Sequence, residues 1–172
     1  MRIFEARYVD MIGRCMREST AFGVALIVDG REVGPAKTAS VGTTARIHDF
    51  EQLRDGLLGI SARGEQRFRI RSVSVQSDGL NVADAELLSE DDGVAVPLDF
   101  ASMSAMMGDL YPKVSGLYDG AEPRLDNAVW LSGRFAELLP LDLRMRQACL
   151  EMNDPIERLR YLSARMTSSD SA

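Results

Sequence analysis

His48 is the only histidine in the chain, and its two cysteines, Cys15 and Cys149, stand far apart. One imidazole cannot supply a cluster of nitrogen ligands, and no CxxC or Cys/His spacing surrounds either thiol, so a zinc site lacks material. A Ser-His-Asp triad would need orienting partners for His48 that the sequence does not offer. Beside Asp49, it reads as a polar residue at the end of a strand. Cys15 has Arg14 and Arg17 nearby, the cationic setting that activates a nucleophilic thiol. It also shares its segment with Met11, Ile12 and Met16, which makes it a half-buried packing residue, and Cys149 reads the same way. Glu90-Asp91-Asp92 offers hard carboxylate oxygens for Ca²⁺ or Mg²⁺. It lacks the D-x-D-x-D-G spacing that wraps an ion from one loop, and it reads as a solvated linker.

Two other groups are suited to recognition rather than reaction. Arg67, Arg69 and Arg71 alternate along one segment and would form a basic stripe for an anionic partner or RNA. The competing reading is the solvent side of an antiparallel sheet whose other side carries Phe68 and Ile70. Met103, Met106 and Met107, with Leu110 and Tyr111, form an apolar cluster of flexible side chains able to accept varied apolar peptides. This is the candidate peptide-binding cluster, set against the alternative that it is the core face of a helix.

The elements that must position these groups change character along the chain. Phe4, Tyr8, Met11 and Ile12 recur at helical spacing, predicting a helix over about residues 5–18. Phe22 to Val28 (FGVALIV) is a short apolar strand closed by Asp29-Gly30, a dipeptide that tolerates positive φ. Ser40 to Ile47 is a second strand, in which Gly42 signals a bulge or a close backbone approach. Gln66 to Val75 alternates most clearly, with one phase slip between Ile70 and Val73 of the kind a bulge causes. Ser77-Asp78-Gly79 then turns the chain into a return strand over Leu80 to Leu88.

Beyond the polar stretch Ser89 to Gly93 the period becomes helical. Helices are expected over Pro97 to Leu110, Leu125 to Leu139 (stopped by Pro140), and Leu141 to Met152. A fourth opens on Asp154 as N-cap, Pro155 at the first helical position and Glu157 completing a capping box, with Ile156, Leu159 and Leu162 on its buried face. The tail Thr167 to Ala172 is polar.

Composition bounds what these elements can do. A chain of 172 residues with 45% apolar and 27% charged residues can bury a real core. Its 20 basic against 26 acidic residues give a net charge of -6, a field that repels phosphate backbones and sets nucleic acid aside as a partner. No segment has the length and apolarity of a membrane span, and no signal-peptide core follows Met1, so a cytoplasmic protein is expected.

Several segments, in order, resemble the N-terminal domain of Lon-type proteases: Ile3 to Tyr8 (IFEARY), Phe22 to Leu26 (FGVAL), Val41 to Ile47 (VGTTARI), Gly59 to Ile70 (GISARGEQRFRI), Phe135 to Leu141 (FAELLPL) and Asp154 to Leu159 (DPIERL). The resemblance implies a β-rich, partly open barrel or sheet of the PUA-like type, accompanied by a helical bundle. It also implies a role in engaging substrates, as that domain helps to do in Lon proteases. The reacting parts of Lon have no counterpart here. A G-x-x-x-x-G-K-[ST] phosphate loop is missing, and the only lysines, Lys37 after Pro35 and Lys113 after Pro112, lack the setting of a Ser-Lys dyad. The family usually carries a strand and turn ahead of its IFEARY-like segment, whereas Met1 stands two residues before it. The expectation is either a start further upstream or a sheet edge open to β-pairing.

The fold class expected is α+β: a β-rich lobe over residues 1–93 with one helix near its start, then a helical lobe over 94–172. The function expected is a non-enzymatic module that binds polypeptide clients or docks to a protease or chaperone, with no cofactor and no catalytic residue. The alternative is an RNA- or nucleotide-related binder using the PUA-like sheet.

Overall fold

The computed structural model describes residues 1–30, 36–54, 56–89, 92–118 and 121–169, and the chain divides into two units, Met1–Ser89 and Glu90–Ala172. The first unit contains one helix, α1 (Ala6–Glu18), on which Tyr8, Met11, Ile12 and Cys15 share a face. The helix ends at Ser19, whose left-handed φ of 53° lets its N–H, with that of Thr20, reach back to the Cys15 carbonyl.

Five strands form the main sheet: β1 (Arg2–Ile3), β2 (Phe22–Val24), β5 (Val41–Gln52), β6 (Leu58–Val75) and β7 (Asn81–Leu87). Their order is β1-β6-β5-β2, with β7 also paired to β6, and every pairing is antiparallel. Between β2 and β5 lie β3 (Ile27–Gly30) and β4 (Ala36–Thr38), paired with each other as a separate two-stranded sheet. Both sheets are open, and neither closes into a barrel. The core on the α1 side consists of Ile3, Ile12, Cys15, Phe22, Ala45 and Ile60, flanked by Tyr8, Met11, Ile47, Leu58 and Ala62.

The expected strand over Phe22 to Val28 is divided between the two sheets, and Gly30 takes a φ of 90° at the end of its second piece. Gly42 marks the close approach that was one of its two readings: a Cβ there would fall against the Val24 carbonyl oxygen and 2.5 Å from the Phe68 ring. The register shifts of β5 and β6 lie elsewhere, between Thr43 and Ala45 and between Ile47 and Asp49. They break the two-residue period, which is why both strands run further than their alternation suggests. The phase slip expected after Ile70 is present as a register shift between Ile70 and Ser72. At the hairpin tip Gly79 has a φ of 82°, and Asp78 Oδ1 accepts from Leu80 N–H.

The second unit opens with a 3-10 turn (Leu98–Phe100) that runs into α2 (Ala101–Val114), with Pro112 in its last turn. Helices α3 (Ala128–Leu138) and α4 (Leu143–Glu151) start on Asn127 and Asp142, whose side chains accept the Trp130 and Met145 amides. Helix α5 (Pro155–Ser169) starts behind Asp154, which accepts from Ile156 N–H. Phe100, Met103, Met107, Tyr111, Leu131, Phe135, Leu159 and Leu162 fill the centre. Buried among them, Arg158 donates to Met152 O at 2.7 Å and to Ser132 Oγ at 3.2 Å. Its charge therefore meets the negative, C-terminal end of α4.

A methyl group at position 42 cannot be absorbed by moving a flexible side chain, because one of its two neighbours is backbone. Gly42→Ala should lower the unfolding free energy in urea by about 2 kcal/mol or more. Gly116→Ala, which meets nothing within 4 Å, should change it little.

Candidate functional site

The groups singled out for chemistry come partly together. Cys15, Met16, Ser19, Thr20, Arg46, Ile47, His48, Asp49 and Phe50 line a shallow groove of about 230 Å³ between the end of α1 and β5. Cys15 and His48 thus share a wall although 33 positions separate them in sequence. The thiol and the neighbouring Asp49 and Arg46 are nonetheless engaged elsewhere. Cys15 is buried, with its thiol 3.9 Å from the Ala21 carbonyl, and Asp49 Oδ1 accepts from Phe50 N–H at 2.8 Å. Arg46 is held by Glu65 at 2.6 Å and also donates to Ser19 O. Nucleophile, base and orienting group are not linked in a hydrogen-bonded series. What the groove offers is an apolar wall of Met16, Ile47 and an exposed Phe50. A second, open hollow of about 450 Å³ lies along Val9, Asp10, Gly13, Arg14 and Arg17 of α1.

The arginine stripe is not a continuous surface. Arg67 is buried, contrary to the solvent-side reading, because it stands opposite Thr43 on the side of the sheet that carries Phe22 and Ala45 and is covered by α1. Arg71 is 2.6 Å from Glu86, and Arg69 is exposed. Of the acidic run, Glu90 and Asp91 lie outside the described residues, and Asp92 pairs with Arg124 at 2.8 Å. Among the described residues no group of three or more His, Cys, Asp or Glu side chains is placed to hold a metal ion.

The candidate peptide-binding cluster is split by the helix that carries it. Met103, Met107 and Tyr111 lie in the core with exposures of 4%, 0% and 4%, whereas Met106 is 49% exposed and Leu110 is half-buried. Residues 103, 107 and 111 follow one another at four-residue steps, so they share a ridge that faces inward, and Met106 sits on the next ridge. The five residues therefore do not present one face to solvent. Cys149 is buried in the same core. Burial pushes its thiol above the ordinary range, against the opposing pull of Arg158 and Arg165.

An uncovered apolar face lies on the β6–β7 hairpin, a segment that the sequence reads as strand and turn without singling out Val73, Val75 or Leu87 as a binding surface. Phe68 stands opposite Leu87, Ile70 opposite Ala85 and Val73 opposite Ala83, so these residues share one face of the sheet. Phe68 is buried, but further out Val73, Val75 and Leu87 are 51%, 67% and 57% exposed. The signal was present in the alternation of β6, which carries its apolar phase past the last residue that has a partner above it. Contiguous apolar surface of this kind on a folded unit marks a place where something else docks.

The family described as the ATP-dependent protease La (LON) substrate-binding domain matches residues 1–168. Lon protease of Escherichia coli K12 is 32% identical over 142 residues, which is 80% of this chain and 18% of that protein. Protein cereblon of Gallus gallus is 28% identical over 93 residues, covering 52% of this chain and 20% of that protein. The chain thus spans about a fifth of the length of these relatives. Among solved structures, a Lon N-terminal domain protein from Xanthomonas campestris superposes with a TM-score of 0.79 at 33% identity, over 95% of this chain and 86% of that one. The N-terminal domain of a Mycobacterium avium complex Lon protease shares the fold, with a TM-score of 0.63 at 20% identity over 94% of this chain and 85% of that one.

Placement within α2 decides two outcomes. Met107→Glu buries a carboxylate without a partner and should unfold the protein or cost several kcal/mol, whereas Met106→Glu should leave the urea midpoint nearly unchanged. Because its folded thiol is raised, Cys149 contributes stability that is complete below the unfolded thiol range and is lost as pH climbs above it. The melting temperature should therefore fall less steeply above about pH 8.5 in Cys149→Ala than in the parent protein.

Proposed function

The chain belongs to the family of ATP-dependent protease La (LON) substrate-binding domains, and from that premise we propose that it is a polypeptide-recognition module that does not turn over what it binds. The observation that carries this reading is the apolar face of the β6–β7 hairpin, exposed at Val73, Val75 and Leu87. A client offering an unfolded apolar segment would cover that face, and the gain is the ordinary one of removing apolar area from water. The part of Lon protease that matches is 18% of that protein, and the matching family is described as a substrate-binding domain, which supports a binding role. The described residues hold no linked nucleophile and base and no metal cluster, and the sequence holds no phosphate loop. The module would work in the cytoplasm, holding clients or passing them to a protease or chaperone.

Fluorescence anisotropy with a labelled, permanently unfolded polypeptide such as reduced, carboxymethylated lactalbumin tests the reading. Binding is expected to persist between about 50 and 200 mM salt, because apolar contact rather than phosphate neutralisation drives it. Neither cleavage of the probe nor ATP hydrolysis should accompany it. The pair Val73→Ser and Val75→Ser should weaken binding by about fivefold or more while leaving the unfolding midpoint close to the parent's, since both side chains are exposed. Capture of RNA oligonucleotides in place of the unfolded polypeptide, with a steep loss on adding salt, is the result that would overturn it.

A further inference from the structure

The hairpin carries a second feature beside its apolar face. Strand β7 pairs with β6 along one side, and no described strand occupies its other side. Leu88 N–H bonds to Arg67 O across the pair. Successive residues of a strand turn their backbone groups to alternate sides. The N–H and C=O of Ala83, Ala85 and Leu87 are therefore directed outward, away from β6. All seven residues of β7 are exposed. These same three residues carry side chains on the apolar face, so open hydrogen-bonding groups and open apolar surface run side by side.

Natural edge strands are blunted by charge, proline or a covering element. Strand β7 contains no proline, and its only charged residues are Asp84 and Glu86. Glu86 is occupied by Arg71 at 2.6 Å. Asp84 stands opposite Ser72, exposed and without an ion pair among the described residues. One carboxylate thus remains in the middle of the edge, on the side opposite Val73 and Leu87, in a protein of net charge -6.

We propose that the outer edge of β7 takes up an extended polypeptide segment as an added strand. Its alternate side chains are apolar and continue the Val73, Val75 and Leu87 face, and a lysine or arginine between them faces Asp84. This rests on the polypeptide-binding reading and gives that reading a place and a preference. Backbone pairing supplies affinity for any extended chain, and the alternate side chains supply selection. A second copy of this chain is a poor occupant. Antiparallel pairing of β7 with itself, centred on Asp84 or on Ala85, places Asp84 against its own counterpart or against Glu86, and like charges directly opposite are destabilising. An acidic segment is opposed for the same reason.

The test uses the full chain and labelled peptides of alternating valine and lysine, cut to the seven-residue length of β7. Their controls are a valine/glutamate counterpart and a valine/lysine peptide N-methylated at its edge-facing amides. Expected results are binding of the valine/lysine peptide, slowed amide exchange at Ala83, Ala85 and Leu87, and about tenfold weaker binding after N-methylation. Asp84→Lys should shift the preference toward the glutamate peptide by about tenfold, with its circular dichroism unchanged. Because N-methylation alters only the peptide, the edge remains testable even if that variant folds poorly.

Protection at the groove of Met16 and Phe50 instead of β7, or binding of the unfolded polypeptide but not of the short peptide, overturns the edge assignment while polypeptide recognition stands. Failure of both probes overturns the two together. Protection of β7 without peptide, accompanied by a doubled mass in sedimentation velocity, identifies a second copy as the occupant and also overturns the proposal.

Discussion

Phe68 lies against the sheet where position 42 carries no side chain, and the first unit is arranged around that contact. A Cβ at Gly42 would run into the Val24 carbonyl and the Phe68 ring, and one at Gly23 would meet the same ring at 3.1 Å. The Phe68 ring of β6 thus packs over glycines of β2 and β5, and at position 42 there is no room for a side chain. The contact also sets a limit. It buries the side of the sheet away from α1 as far as Phe68, and β6 then continues seven residues further, to Val75, with its apolar side increasingly open. The packing that completes the core decides where the exposed surface begins.

Elements with local signals were legible. The stripe of α1 and the cap of α5 each depend on residues within one or two turns of one another, and the hairpin tip on its own few residues, whereas the Asn127 cap of α3 goes unread inside the apolar run from Leu125. Where the outcome depends on a partner distant in sequence, local reading stops short. The run Phe22 to Val28 does not disclose that the chain changes sheets within it, because each piece remains apolar. The first half of β6 carries Gly59 and Gly64 and a register shift, so its alternation is too weak to read before Gln66. Arg67 appeared solvent-facing because its neighbours Arg69 and Arg71 are, but the shift between Thr43 and Ala45 places it under the helix-covered side.

The methionines make the same point for a helix. A helical wheel groups Met103, Met106 and Met107 on one broad face, and whether the centre of that face is 103 and 107 or 106 depends on where α3 and α5 lie. Packing selected the line from Phe100 through Met103 and Met107 to Tyr111, leaving Leu98 90% exposed. The second unit absorbs its unusual groups structurally. Arg158 closes the end of α4, the Tyr111 hydroxyl donates to Ala121 O at 2.6 Å, and Cys149 is sealed in the core. A charge buried in this way stabilises only if its hydrogen bonds are in place, and it favours one arrangement of the helices over near alternatives.

The proposed recognition lies instead on the open side of the sheet, where Val73, Val75 and Leu87 are exposed. A pocket selects by enclosing a ligand, and the two hollows described above are open, one lined by α1 alone and the other by the end of α1 and β5. An edge beside an apolar face works differently. Its backbone groups pair with any extended chain, so the shared part of the affinity does not depend on the client's sequence, and discrimination is left to the side chains that alternate along the strand. A lone carboxylate on such an edge acts as a filter: it admits segments that place a cation beside their apolar residues and turns away acidic ones, including its own copy. This combination suits a module that must accept many unfolded segments while remaining unpaired with itself.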